Sequence, residues 1–122
     1  MGTDSLPGQG CQEWNNDIIC GGDGHDRIWG GNGEDVLHGG RGKDRLYGGE
    51  HDDVLKGGRH NDRLYGGKGT DTLIGGKGND RLLGNKGDDG LFGRAGDDSH
   101  KCGHGYDWAD GGSGDNDTAT DC

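Results

Sequence analysis

The most regular feature of the sequence is an aspartate at every ninth residue from Asp26 to Asp107. Carboxylates about 5 Å apart repel strongly, and a cation between them turns the repulsion into attraction. Calcium takes about six to eight oxygens from carboxylates and backbone carbonyls, whereas magnesium needs a near-ideal octahedron and transition metals prefer imidazole or thiolate. The aspartates therefore favour calcium, provided that the fold brings them together. They are Asp26, Asp35, Asp44, Asp53, Asp62, Asp71, Asp80, Asp89, Asp98 and Asp107.

The residues around each aspartate repeat in the register Gly-Gly-x-Gly-x-Asp-x-apolar-x. Eight such units follow one another from Gly21 to Phe92 without an insertion. The glycine-rich part tolerates positive φ and predicts a tight turn. The x-apolar-x part predicts a short strand whose middle side chain points inward. The inward residues are Ile28, Leu37, Leu46, Leu55, Leu64, Leu73, Leu82 and Leu91.

Turn, strand, turn and strand close a coil of 18 residues, so the sequence predicts an all-β solenoid with two units in each coil. Stacked coils place the aspartates in two columns, one that begins with Asp26 and Asp44 and one that begins with Asp35 and Asp53. The core is only one side chain wide, which is too small to offset the entropy lost when so many glycines are ordered. We therefore expect bound cations to supply part of the folding free energy.

The nonapeptide resembles the RTX (repeats-in-toxin) repeat, and the resemblance covers most of the chain. It implies a right-handed parallel β-roll with irregular N- and C-terminal caps, and several Ca²⁺ ions between the loops of successive coils. Each ion would be held by sixth-position aspartates and by carbonyls of the Gly-x-Gly stretch. The glycines so implied are Gly22, Gly24, Gly31, Gly33, Gly40, Gly42, Gly67, Gly69, Gly76, Gly78, Gly87 and Gly96.

Some units depart from the pattern. His51 and His60 stand where the third glycine belongs, and Asn85 and Arg94 replace the second glycine. The two histidines predict local distortion of their loops, with imidazoles that either face solvent or approach a metal site. The solvent-facing interpretation is the favoured one.

The sequence divides into four segments. Residues 1–10 are expected to be disordered or an artificial extension, and residues 11–20, with Ile19, to form an N-terminal cap. Residues 21–101 would form the calcium-binding β-roll, and residues 102–122 degenerate repeats and a C-terminal cap. The apolar core is expected to end after Leu91, where the inward residues become His100, Ala109 and Thr118, although Asp115 and Asp117 still resemble loop ligands.

Four cysteines are expected outside the regular stack, namely Cys11, Cys20, Cys102 and Cys122. They lack the usual zinc-ligand spacing and favour disulfides that close the two caps. Cys102 and Cys122 lie 20 residues apart, close to one coil. Cys11 and Cys20 lie half a coil apart and pair only if the N-terminal segment is irregular.

A net charge of −10 argues against nucleic acid or anionic membranes as partners and favours cations. No apolar run is long enough to span a membrane. The first ten residues lack the pattern of a signal peptide. We nevertheless expect a secreted, extracellular protein whose export signal has been removed. The cysteines favour the general secretory pathway over the type I export common among RTX proteins.

No catalytic motif is present, so the sequence predicts a calcium-binding module that is not an enzyme. An alternative is the C-terminal RTX part of a secreted toxin or hydrolase. A second alternative is a recognition surface for a carbohydrate or a protein on one sheet, which would carry Arg27, Trp29, Arg45, Tyr47, Arg63 and Tyr65, with Arg81 and Leu83 in the next coil. The competing interpretation is that these large residues simply cover a narrow sheet.

Overall fold

The computed structural model describes residues 3–7, 18–112, 117–120 and 122. These residues form thirteen short β-strands and no helix. The strands are β1 (Thr3–Pro7), β2 (Ile18–Gly22), β3 (His25–Gly31), β4 (Val36–Gly40), β5 (Arg45–Gly49), β6 (Val54–Gly58), β7 (Arg63–Lys68), β8 (Thr72–Lys77), β9 (Arg81–Lys86), β10 (Gly90–Ala95), β11 (Ser99–His104), β12 (Trp108–Asp110) and β13 (Thr118–Thr120). Within the described segments, no helix is long and apolar enough to cross a membrane.

The strands alternate between two parallel sheets. The odd-numbered strands form the odd sheet in the order β1-β3-β5-β7-β9-β11-β13, and the even-numbered strands form the even sheet in the order β12-β10-β8-β6-β4-β2. Leu46 of β5 pairs with Leu64 of β7, so neighbouring strands are offset by one 18-residue coil. The predicted all-β solenoid of parallel strands is confirmed, with about six turns.

The core is a single file of side chains between the two sheets. Strands β2 to β10 each turn one apolar residue inward, and these residues are fully buried. The buried apolar side chains are Ile19, Ile28, Leu37, Leu46, Leu55, Leu64, Leu73, Leu82, Leu91 and Cys102. All predicted inward leucines and Ile28 are therefore confirmed in the core.

The substituted loops keep the left-handed conformation and the 18-residue register of the glycine loops. The distortion predicted at His51 and His60 is confined to φ angles smaller than the 103–108° of the glycines at the same position of the other regular units. These two histidines adopt φ angles of 74° and 76°, and Asn85 and Arg94 adopt 75° and 76°. The imidazoles are exposed. The Nδ1 atom of His51 accepts a hydrogen bond from the amide of Gly33 at 3.3 Å, and that of His60 accepts one from Gly42 at 3.2 Å. These bonds to the preceding coil hold the left-handed conformation.

The N-terminal segment contributes more to the stack than the sequence predicted. Residues Thr3–Pro7 form β1, which pairs with β3 from Thr3 opposite His25 to Pro7 opposite Trp29. This corrects the expectation of disorder for that part of residues 1–10, because the edge of β3 offers unpaired backbone groups to an extended segment. Ile19 of β2 pairs with Leu37 and is the first core residue of the even sheet.

The C-terminal coil shifts by one residue. Ser99 pairs with Thr118 and His100 with Ala119. Ala119, rather than the predicted Thr118, therefore pairs with the inward-facing His100. The cause is one additional residue between Asp98 and Asp117. His100 is 1% exposed, and Ala109 packs against the core. The core thus continues beyond Leu91 in reduced form.

The cysteine predictions have different outcomes. Cys102 and Cys122 form the predicted disulfide, with Cα atoms 4.9 Å apart. The prediction that Cys102 lies outside the stack is wrong. Cys102 is fully buried in β11, because its side chain faces the core at a position where other units have glycine. Cys11 lies outside the described residues, so its pairing with Cys20 stays a prediction.

Candidate metal sites

The repeated aspartates form two continuous ladders along the loops. The backbone N–H of each aspartate donates to Oδ1 of the aspartate one coil further on, for example from Asp44 to Asp62 at 2.8 Å. The same bond links Asp53 to Asp71 at 2.8 Å and, with the extra residue, Asp98 to Asp117 at 2.7 Å. The side chains are buried, with exposed fractions of 0–3% from Asp26 to Asp98. Stacking therefore fixes one oxygen of each ladder carboxylate from Asp44 onward.

The second carboxylate oxygen is buried without a hydrogen-bond partner among the described residues. A buried charged oxygen in that state is costly unless a cation or a proton compensates it. The Oδ2 atoms in this position belong to Asp44, Asp53, Asp62, Asp71, Asp80, Asp89, Asp98 and Asp107. A column of such oxygens is the arrangement expected of a cation-binding row.

Backbone carbonyls converge on the same places. A Cβ built on Gly39 would lie 2.5 Å from Oδ2 of Asp44 and 2.7 Å from the carbonyl oxygen of Gly57. A Cβ on Gly48 would lie 2.6 Å from Oδ2 of Asp53 and 2.7 Å from the carbonyl oxygen of Gly66. The first glycine of each unit thus leaves open a cradle that a side chain would fill. Sequence reasoning missed these first-position glycines.

The glycines at the second and fourth positions of the unit, which the sequence singled out, are placed differently. The carbonyl oxygen of Gly22 accepts a hydrogen bond from the amide of Arg41 at 3.0 Å, and that of Gly40 accepts one from Arg59 at 3.0 Å. The fourth-position carbonyls point at the fourth-position glycine of the next coil, as that of Gly24 points at Gly42. The structure therefore brings first-position carbonyls and Oδ2 close to one point. The coordination of ions by the second- and fourth-position carbonyls stays a prediction.

A further ladder runs through the fifth position, which the sequence analysis did not identify. Side chains there accept hydrogen bonds from the fifth-position amide of the next coil. Oδ1 of Asp52 accepts from Thr70 at 2.7 Å, and Oδ1 of Asn61 accepts from Asn79 at 2.7 Å. Nδ1 of His25 accepts from Lys43 at 2.8 Å. The recurrence of Asp, Asn and His at this position was the available signal.

The ladder carboxyls hold protons more tightly than free aspartate does. Burial, as the largest cause, raises the pKa of Asp62 from 3.8 to about 8, and repulsion from Asp80 and Asp44 adds to it, while the hydrogen bond from the amide of Asp44 opposes it. Burial likewise raises the pKa of Asp98, with repulsion from Asp117 among the smaller causes. The residues whose pKa is raised to about 7 are Asp44, Asp53, Asp71, Asp80 and Asp89.

The donor set fits a hard cation. Among the described residues, no three His, Cys, Asp or Glu side chains converge on one point. An ion in either row would therefore be held by one or two carboxylates and would take its other ligands from backbone carbonyls or water. Oxygen-only sites of this kind suit Ca²⁺ better than transition metals.

A parallel β-solenoid whose loops carry rows of buried carboxylates belongs to a recognisable class of repeat protein. The family model of the RTX calcium-binding nonapeptide repeat (4 copies) matches residues 13–46, 38–73 and 65–99. The chain therefore belongs to the RTX calcium-binding repeat family. No curated protein and no solved structure matches it.

Proposed function

We propose that this chain is a secreted calcium-binding protein in which several Ca²⁺ ions between stacked loops drive folding and stabilise the fold. The observation that carries the proposal is the column of buried Oδ2 atoms without hydrogen-bond partners among the described residues. When bound, calcium supplies positive charge and an oxygen-coordinating centre at those atoms.

Folding and binding are coupled in this proposal because the metal-free stack is electrostatically unfavourable. Successive carboxylates lie one coil apart, and the core that opposes their repulsion is one side chain wide. A ligand that binds only the folded state stabilises it by mass action. In the folded stack, the ladder bonds to Oδ1 orient the carboxylates, so the ordering of the loops and the binding of each ion occur together.

Secretion and the lack of enzymatic activity are also proposals. RTX repeats are typical of secreted proteins. The Cys102–Cys122 disulfide is consistent with an oxidising compartment. The ionisable residues with raised pKa values all belong to the aspartate ladders, which fits a metal-binding role rather than acid–base catalysis.

Isothermal titration calorimetry with Ca²⁺ and with Mg²⁺ tests the proposal. We expect several calcium ions to bind and magnesium to bind far more weakly. Asp62→Asn keeps the Oδ1 acceptor and removes the charge, so it should weaken calcium binding by on the order of tenfold. The matched control is Asp110→Asn, which keeps the Oδ1 acceptor for the amide of Gly112, removes an exposed charge outside the ladders and should bind as the wild type does. Equal effects of the two substitutions, or equal affinity for both metals, would contradict the proposal.

A further inference from the structure

The outward face of the odd sheet carries an unusual distribution of charge. From β3 to β11 its outward positions hold four arginines and three lysines, Lys68, Lys86 and Lys101, and no acidic residue, in a chain of net charge −10. We call Arg27, Arg45, Arg63 and Arg81 the arginine column. Their strands pair in register, Arg27 with Arg45, Arg45 with Arg63 and Arg63 with Arg81.

Stability does not account for this column. Arginines one coil apart repel one another, and no ion pair joins any of them to a carboxylate within the described part of the chain. The equivalent positions of the even sheet hold Val36, Val54, Thr72 and Gly90. The even sheet thus forms without positively charged side chains at this position. The arginine column is therefore a feature of one face rather than a requirement of the solenoid.

The aromatic residues beside the column are engaged with one another. The ring centroids of Trp29 and Tyr47 lie 5.5 Å apart with planes at 9°, and those of Tyr47 and Tyr65 lie 4.8 Å apart with planes at 4°. Both faces of the Tyr47 ring are therefore covered by its neighbours. Stacking of a sugar ring on Tyr47, which a flat aromatic ladder would permit, is thus blocked, and recognition must come from ring edges and from charge.

The arginine column also borders one of the aspartate rows. Arg45 and Arg63 line a groove of about 610 Å³ together with Asp44 and Asp62. Calcium in that row would neutralise the aspartates and leave the arginines without compensating charge. In this respect the inference rests on the proposed function.

We propose that the arginine column binds a linear polyuronate along the solenoid axis. A guanidinium group pairs with a carboxylate through two parallel hydrogen bonds, which favours carboxylates over neutral sugars. The arginines of the column repeat once in each coil. The distance between successive coils on this face is close to the 4.8 Å that separates the ring centroids of Tyr47 and Tyr65. A polyuronate presents one carboxylate for each sugar ring, so a chain that lies along the column carries several carboxylates within the length that the four arginines span.

The test uses short oligogalacturonates, below the length that gels with calcium, and the calcium-loaded protein, whose fold is first verified by circular dichroism. Wild-type protein should bind the oligogalacturonate and not its methyl ester, and more weakly a hyaluronan oligosaccharide, which carries a carboxylate only on alternate rings. Because exposed charges are screened by salt, binding should weaken as ionic strength rises.

The decisive variant is Arg45→Gln with Arg63→Gln, which removes two charges from the middle of the column. We expect its affinity to fall by on the order of tenfold. The matched control is Arg41→Gln with Arg59→Gln, which removes two exposed charges one coil apart outside the column and should bind as the wild type does.

Equal losses in the two variants, equal binding of the methyl ester, or no binding by a protein shown to be folded would overturn the inference. Self-association that depends on Arg45 and Arg63 in sedimentation experiments, without oligogalacturonate binding, would also overturn it. A protein that does not fold in calcium would instead contradict the proposed function.

Discussion

The first position of each unit requires glycine for a reason other than its backbone angles. Gly57 does not adopt a positive φ, yet a Cβ there would lie 2.5 Å from Oδ2 of Asp62 and 2.8 Å from the carbonyl oxygen of Gly75. Both atoms are held in place by the stack. We therefore predict that Gly57→Ala lowers calcium affinity and destabilises the calcium-bound fold by about 2 kcal/mol.

Gly90→Ala is the matched control for this prediction. Gly90 also lacks a positive φ, and a Cβ there would meet only the Phe92 ring, at 3.2 Å. Its effect on the free energy of unfolding should stay within about 0.5 kcal/mol. Thermal melts in saturating calcium, with calcium titrations, measure both variants. Similar losses in the two would show that the first-position cradle is not a calcium site.

Protonation of the aspartate ladders predicts a pH dependence of the metal-free chain. The pKa of Asp62 is about 8 in the folded state and that of Asp44 about 7, against 3.8 for the free side chain. A raised folded-state pKa means that the folded chain binds more protons than the unfolded chain between these values. Its contribution to stability is thus present at low pH and is lost as pH rises through about 7 to 8.

In calcium-depleted buffer, the β-sheet signal in far-UV circular dichroism should therefore increase as pH falls from about 8 to about 5. Protons replace calcium only in part, because they neutralise Oδ2 without joining successive coils. A metal-free signal that rises with pH instead would contradict this account of the ladders.

At the residue scale, the sequence predicted the aspartate columns and the inward leucines because both recur without exception. It did not predict which carboxylate oxygen is bonded and which is left over, since that depends on the coil offset between Asp44 and Asp62. The fifth-position ladder escaped notice because chemically different acceptors, such as His25, Asp52 and Asn61, perform the same task.

At the element scale, the loops show that the left-handed turn is imposed by the stack rather than by glycine alone. Arg94 and Asn85 adopt φ angles of 76° and 75° at positions where most units have glycine. Asparagine tolerates this region better than arginine does. Arg94→Gly should therefore raise the free energy of unfolding in calcium by about 1 kcal/mol, and Asn85→Gly by less.

Thermal melts of the two glycine variants in saturating calcium measure these gains. Arg94 and Asn85 are both exposed, so the comparison removes little packing. A loss of stability in Arg94→Gly would show that its side chain contributes contacts that outweigh the backbone strain.

The sequence predicted the register of the central strands correctly, but it did not predict the register at the two ends of the solenoid. The alternation of inward and outward residues fixed the register from β3 to β11, because each coil has the same length. The offset of 19 residues between Asp98 and Asp117 broke that register at the last coil. Pairing of β1 with β3 depends on the open edge of the first regular coil, which no local pattern in residues 3–7 encodes.

At the scale of the whole molecule, the fold is a solenoid of nearly identical stacked coils. Each coil contacts only its neighbours, so stability depends on the interfaces between coils and on the ends. The Cys102–Cys122 disulfide ties the last described residue to β11 and closes one end.

The central claim is that calcium drives the folding of this solenoid, and far-UV circular dichroism combined with the hydrodynamic radius tests it most directly. At neutral pH in excess chelator, we predict an expanded chain without a β-sheet spectrum, because the ladder carboxylates repel and the single-file core does not compensate. Addition of calcium at near-millimolar concentration should produce a compact chain with a β-sheet spectrum in one cooperative transition. A compact chain with the same β-sheet spectrum in chelator and in calcium would contradict the claim.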